Sequence, residues 1–107
     1  DSLFGDDGDD SLFGQGGNDT LFGGENDDHL FGGGVDDSMF GDVLYGENGN
    51  DTLEVQSGEN ILYGGADNDS LLGGKQNDTL QGDSGHDVMF GNDGEDKLYG
   101  GADGDTL

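Results

Sequence analysis

From Gly5 the chain reads in nines: GDDGDDSLF to Phe13, GQGGNDTLF from Gly14 to Phe22, GGENDDHLF from Gly23 to Phe31, GGGVDDSMF from Gly32 to Phe40. The frame slips at GDVLY, Gly41 to Tyr45. It resumes with GENGNDTLE, VQSGENILY, GGADNDSLL, GGKQNDTLQ, GDSGHDVMF and GNDGEDKLY, and a last unit opens at Gly100. A fixed short period marks a repeat architecture, in which each unit buries its apolar residue only against its neighbours. The first column is Gly in 11 of 12 units, Val55 being the exception, and the sixth is Asp in ten of eleven full turns, Asn60 being the exception. The eighth column is always apolar: Leu3, Leu12, Leu21, Leu30, Met39, Leu44, Leu53, Leu62, Leu71, Leu80, Met89, Leu98 and Leu107.

Elementary conformational preferences turn each unit into a turn followed by a strand. Clusters such as Gly16-Gly17-Asn18-Asp19 supply the positive φ values that tight turns need, and Thr20-Leu21-Phe22 suits a short extended segment. Side chains alternate along a strand, so the central Leu faces one way and its neighbours the other, which leaves one inward residue per unit. Two units then make a coil of 18 residues with two facing sheets, and about six coils stack about 4.8 Å apart.

Composition sets the energetic problem. The 107 residues hold 26 Asp and Glu against two Lys, a formal charge of −24, with 25 Gly, no Pro and no Cys. Leu, Ile, Val and Phe number 23, near the level at which a highly charged chain stays disordered. Without Cys there is no disulfide and no thiolate metal site. Lys75 and Lys97 are the only fixed side-chain cations, so nucleic-acid binding is excluded, and an anionic membrane repels the surface. No apolar stretch approaches the roughly 20 residues of a membrane-spanning helix, and no signal-peptide pattern opens the chain. A chain so anionic calls for cations as partners.

The repeated G-G-x-G-x-D-x-U-x pattern resembles the RTX (repeat-in-toxin) nonapeptide family of secreted calcium-binding proteins, the hemolysin-type repeat. The match runs along the whole chain, 1–107. The resemblance implies an all-β fold, a right-handed parallel β-roll or β-solenoid, with Ca²⁺ between adjacent turns of one edge, held by sixth-position carboxylates and turn carbonyls. Carried over residue by residue, the side-chain ligands are Asp10, Asp19, Asp28, Asp37, Asp51, Asp69, Asp78, Asp87, Asp96 and Asp105. The fourth-position glycines Gly8, Gly17, Gly49, Gly58, Gly85 and Gly94 are the candidate backbone-carbonyl donors. Ligands recur two units apart, so Asp10 shares an edge with Asp28, and Asp19 shares the other with Asp37. Hard oxygen donors without thiolate or imidazole suit Ca²⁺, which takes six to eight oxygens. Counting turn pairs gives about six or seven ions, which offset at most about fourteen negative charges.

Departures from the pattern locate the expected weak points. Val35, Asn26, Asp67, Gln76 and Asp103 replace the fourth-position Gly, and β-branched Val35 tolerates positive φ least. Only Gly41 and Asp42 separate Phe40 from Val43, a link that suits a hairpin rather than a crossing to a facing sheet. The chain is thus expected as a block 1–40, a short irregular unit 41–45 where the roll bulges or restarts, and a block 46–107. The segment 41–63, which also lacks Gly at 55 and Asp at 60, is expected to bind calcium most weakly.

The ninth column, Phe4, Phe13, Phe22, Phe31, Phe40, Tyr45, Tyr63, Phe90 and Tyr99, faces outward on the alternation rule. It either covers neighbouring backbone or offers a face for self-association. His29 and His86 fall in different columns with no third partner, and no base stands in register with the seventh-column Ser and Thr, so neither a zinc site nor a nucleophile emerges. An array of equal carboxylates has no unique cleft for a glycosidase pair, so the chain is read as no enzyme.

The leading expectation is a structural module that folds on binding calcium after export, extracellular or at the cell surface; the resemblance implies type I secretion. A self-assembling adhesive array through aromatic faces or open roll ends is a second reading. An ancillary domain of a secreted enzyme is a third, and a disordered acidic calcium buffer is the rival to all. Because Asp1 to Phe4 close one unit and Leu107 stops within another, a segment of a longer protein with flanking domains is expected.

Overall fold

A computed structural model describes residues 1–33 and 40–107. The strands are β1 (Ser2–Asp7), β2 (Ser11–Gln15), β3 (Thr20–Glu25), β4 (His29–Gly33), β5 (Val43–Asn48), β6 (Thr52–Glu54), β7 (Ile61–Ala66), β8 (Ser70–Lys75), β9 (Thr79–Ser84), β10 (Val88–Asp93) and β11 (Lys97–Ala102). The odd strands form one six-stranded sheet and the even strands a five-stranded one, each in sequence order and parallel throughout. The chain alternates between the sheets, so the architecture is a β-solenoid of two units per coil, as the nine-residue period requires. No helix among the described residues is long and apolar enough to cross a membrane.

The eighth column is the core. Leu21, Leu44, Leu62 and Leu80 stack in register on one sheet and Leu30, Leu53, Leu71 and Met89 on the other, all fully buried. Between them lies a single apolar layer in a molecule only 13 Å across its shortest axis. Most strands run longer than the three residues expected. Pairing continues through the first three turn positions, as in Gly24↔Glu47 and Glu25↔Asn48. The outward ninth column stacks on itself along the six-stranded sheet, Phe4 on Phe22 at 4.8 Å, Phe22 on Tyr45 at 4.9 Å and Tyr45 on Tyr63 at 5.0 Å. Gln81 ends the stack, since it is the residue paired with Tyr63.

Of the two ways the irregularity was expected to be met, a bulge or a restart, the structure excludes the restart. The roll neither restarts nor makes a hairpin at 41–45: Val43–Tyr45 opens β5, which pairs with β3 on one side and β7 on the other. The offset is 23 residues across this coil instead of 18, in both sheets. The five extra residues therefore lie in the segment from Gly32 to Asp42, and the two-residue link joins no pair of strands. Asp42-Val43-Leu44-Tyr45 repeats the spacing of Asp19-Thr20-Leu21-Phe22, and it alone leaves a full turn, Gly46 to Asp51, before the next strand. Leu44 thus takes the core place expected of Met39, which lies outside the described residues, and exposed Phe40 stands outside the aromatic stack.

The turns come in two forms. In the turn after β5, Glu47 has φ +79° at the second position and Gly49 has +125° at the fourth; in the turn after β3, Gly24 has +115° and Asn26 +81°. Only glycine is comfortable beyond about +100°, whereas Asn, Asp and other residues reach the left-handed well near +60° to +80° at modest cost. Along the edge that follows the odd-numbered strands the two forms alternate, so beyond the first coil each positive-φ glycine lies over the carbonyl of a non-glycine one coil below. A Cβ on Gly24 would overlap the Asp6 carbonyl oxygen, and one on Gly49 that of Asn26.

Candidate metal centre

Each described sixth-position residue closes a turn and points its side chain back into the edge of the roll, a carboxylate everywhere except at Asn60. Along the first edge the backbone N–H of Asp10 donates to Asp28 Oδ1 at 2.8 Å, Asp28 to Asp51 at 2.8 Å, Asp51 to Asp69 at 2.8 Å, Asp69 to Asp87 at 2.9 Å and Asp87 to Asp105 at 3.1 Å. Along the second, Asp19 donates to Asp42 Oδ1 at 2.9 Å, Asp42 to Asn60 Oδ1 at 2.8 Å, Asn60 to Asp78 Oδ1 at 2.8 Å and Asp78 to Asp96 Oδ1 at 2.8 Å. Both ladders join residues one coil apart, 18 residues apart everywhere except across the coil that contains Asp42, where the step is 23.

Of the expected side chains, the structure gathers Asp10, Asp28, Asp51, Asp69, Asp87 and Asp105 on one edge and Asp19, Asp78 and Asp96 on the other. Asp37 lies outside the described residues, as does Val35. The place opposite Asp19 belongs to Asp42, which the reading missed because the frame was carried through Gly32 to Phe40. Its signal was present in the D-x-L-aromatic spacing of Asp42 to Tyr45. The six expected glycines all have positive φ, from +102° at Gly58 to +141° at Gly94. Gln76, expected as a mild defect, sits at +68° and its Oε1 accepts the Gly58 N–H at 2.9 Å.

The second carboxylate oxygen of each ladder residue carries the chemistry. Oδ2 of Asp10, Asp19, Asp28, Asp51, Asp69, Asp78 and Asp87 is buried without a hydrogen-bond partner. Buried polar atoms in folded proteins are nearly always satisfied, so seven orphaned oxygens in one repeated place make a row suited to a positive partner. The first-position glycines make the room: a Cβ on Gly14 would lie 2.7 Å from Asp19 Oδ2, and one on Gly5 2.7 Å from Asp10 Oδ2.

Burial pushes five of these carboxyls upward, those of Asp28, Asp51, Asp69, Asp78 and Asp87, reinforced by nearby like charges. Asp69 is raised to about 8 and Asp51 and Asp78 to about 6, against the partial relief of the N–H bonds; Asp28 and Asp87 are raised by the same causes. Among the described residues no three Asp, Glu, His or Cys side chains converge as a metal-binding group. An ion at these edges must therefore combine carboxylates with backbone carbonyls, a hard all-oxygen set that suits Ca²⁺ and not zinc or copper.

A second, outer ladder runs through the fifth position. Asp27 N–H donates to Asp9 Oδ1 at 3.1 Å, Asn50 to Asp27 at 2.8 Å, Asn68 to Asn50 at 2.9 Å and His86 to Asn68 at 2.8 Å, and the Gly104 N–H reaches His86 Nδ1 at 3.1 Å. His86 thus extends an Asx ladder. His29 faces Glu54 at 3.7 Å on the exposed side of the five-stranded sheet.

A parallel β-solenoid with acidic, oxygen-lined turns on both edges defines a class of cation-binding structural repeats. The model of the RTX calcium-binding nonapeptide repeat family matches the chain four times, over residues 4–39, 38–71, 45–80 and 72–107. The chain belongs to that family and is a calcium-binding structural module, a fold whose role is structural rather than catalytic. Comparisons with curated proteins and with solved structures returned no match.

Proposed function

We propose that the two edges hold about seven Ca²⁺, one for each neighbouring pair of ladder aspartates, and that loading them folds the chain. The pairs are Asp10/Asp28, Asp28/Asp51, Asp51/Asp69, Asp69/Asp87 and Asp87/Asp105 on one edge and Asp19/Asp42 and Asp78/Asp96 on the other. The observation that carries this reading is the row of orphaned Oδ2 atoms. Bound Ca²⁺ supplies the positive charge that lets buried carboxylates stay ionised. The aspartates offer Oδ2 while Oδ1 keeps the N–H bond, and turn carbonyls, those of Gly8, Gly17, Gly49, Gly85 and Gly94 among them, complete the donor set; the Gly58 carbonyl instead accepts from Asn60 Nδ2.

Without the ions a thin Leu layer faces the repulsion of stacked carboxylates and the entropy of ordering a Gly-rich chain, so the binding free energy is the folding free energy. Such a module suits surroundings where calcium is abundant, which supports a role outside the cell, folded after export as part of a longer secreted or surface protein. The test is a calcium titration of the full chain followed by far-UV circular dichroism, with bound calcium counted by equilibrium dialysis. A cooperative, EDTA-reversible gain of β structure with Ca²⁺ and none with Mg²⁺ is expected. Binding without β structure would make the chain an acidic buffer instead.

Gly64→Ala isolates one cradle. A Cβ there would lie 2.5 Å from Asp69 Oδ2 and 3.0 Å from its Cγ. Because Asp69 belongs to two pairs, the variant is expected to bind one or two ions fewer and to need more calcium to fold, with Thr79→Ala on the same sheet as an unaffected control. An unchanged ion count would remove the first-position glycines from the site.

A further inference from the structure

Unit 55–63, VQSGENILY, departs from the repeat twice, with Val55 for the first-position Gly and Asn60 for the sixth-position Asp. Both departures fall at one point in space. Gly5 and Gly14 show that a first-position Cβ meets the sixth-position Oδ2 of its own turn. In this unit the first-position residue is buried Val55, which carries the Cβ those glycines lack, and the sixth-position residue is a buried amide rather than a carboxylate.

Asn60 is 1% exposed and keeps the ladder bond of an aspartate, its Oδ1 accepting the Asp42 N–H at 2.8 Å. Its Nδ2 stands where the aspartates carry the orphaned Oδ2. There it donates to the Gly58 carbonyl at 2.9 Å and to Asp78 Oδ1 at 3.0 Å, with a longer contact to the Ser57 carbonyl at 3.4 Å. The amide orientation is forced, because a flip would set Oδ1 against three acceptors and Nδ2 against an N–H. Two turn carbonyls and the carboxylate of the next coil thus converge on one N–H₂ group, and these are the donor types a hard cation takes. The amide adds no negative charge, so the repulsion that opens the other turns is absent here.

Resting on the calcium reading above, we infer that Asn60 is a built-in surrogate for the ion: turn 55–60 closes without calcium and takes none between Asn60 and Asp78. The two edges are then unequal. One carries an unbroken row of six aspartates, and the other is split by the amide into an Asp19/Asp42 pair and an Asp78/Asp96 pair. The central coil is the part of the roll least dependent on calcium, the opposite of a weak point in the fold, although it binds fewest ions.

The test counts ions in the full chain. Val55→Gly/Asn60→Asp, which restores the repeat and completes the pairs with Asp42 and Asp78, is expected to bind up to two more Ca²⁺ per chain than the natural sequence, and Asn60→Ala is expected to fold less stably with no ion lost. In the calcium-loaded natural chain, the Asn60 side-chain amide protons are expected to exchange at least about tenfold more slowly than those of exposed Asn92, a readout that needs no variant to fold. Loss of one ion in Asn60→Ala, or an unchanged count in the double variant, would show that Asn60 is itself a ligand and overturn the inference. Slow Asn60 exchange lost only on removing calcium from an otherwise folded chain would overturn it too. A natural chain that gains no β structure with calcium would instead defeat the calcium reading beneath it.

Discussion

In EDTA at pH 8 the chain is expected to be unfolded, and acidification to about pH 5 is expected to bring back β structure without any metal. The reason is the direction in which burial moves the ladder carboxyls. Asp69 is raised to about 8 and Asp51 and Asp78 to about 6 in the fold, while in the unfolded chain each returns to 3.8. Between those values the folded state holds protons that the unfolded state has released. Stability therefore falls as pH rises through the window from about 4 to about 8, and its proton-linked part is fully present only below the unfolded value. Protons and calcium compete for the same oxygens, so with calcium present the dependence reverses and affinity weakens on acidification. Circular dichroism from pH 8 to 5, in EDTA and in excess calcium, gives two opposite trends if this is right. The range stops short of the isoelectric point of about 4.1, where a neutral chain would associate. A metal-free β signal that stays flat or falls on acidification would mean that the ladder carboxyls are solvated in the fold.

The second large effect comes from the core. Leu62 is fully buried between the Leu44 and Leu80 positions of its sheet, and Leu62→Ala should cost about 2–5 kcal/mol. That is a large share of the about 5–15 kcal/mol that holds a typical domain folded. The cost shows differently in two measurements. In a thermal melt at saturating calcium the midpoint should fall by more than about 10 °C. In a calcium titration the same loss is spread over every ion taken up on folding. About 3 kcal/mol over about seven ions, at 1.4 kcal/mol per decade, moves the midpoint only about twofold. A shift of more than tenfold would mean that few ions couple to folding. Phe13→Ala, on the exposed side of β2, is the control that should move neither.

Much of this was legible because the repeat repeats. One Leu per unit gives the core, one Asp per unit gives the ladder, and a period of nine dictates two sheets. The coil at 32–45 was misjudged for the same reason. Met39 and Leu44 both satisfy the apolar column, Asp37 and Asp42 both satisfy the acidic one, and local pattern weighs them equally. What decides between them is a pairing across 23 residues, Leu21 with Leu44, which no window of the sequence contains. Asn60 was visible as a departure but not as a substitute, since the meaning of its nitrogen depends on carbonyls and a carboxylate that only the stacked coils bring to it. The strand lengths were underestimated because Gly-Gly reads as turn, whereas pairing with a neighbour extends it.

The alternation of turn forms gives this chain a parity. Strands so alike invite registration errors, in which a coil docks on the wrong neighbour with every Leu still covered. Shifting one coil past another by a single step would stack two turns of the same form. That sets a Cβ against the carbonyl that Gly24 or Gly49 meets with none, so the slip is marked by collisions at the edge even though the core accepts it. A slip of two coils escapes that check but leaves four strands without partners. The interval at which this roll can be lengthened, shortened or misaligned without protest is therefore 36 residues, twice the coil and four times the visible repeat.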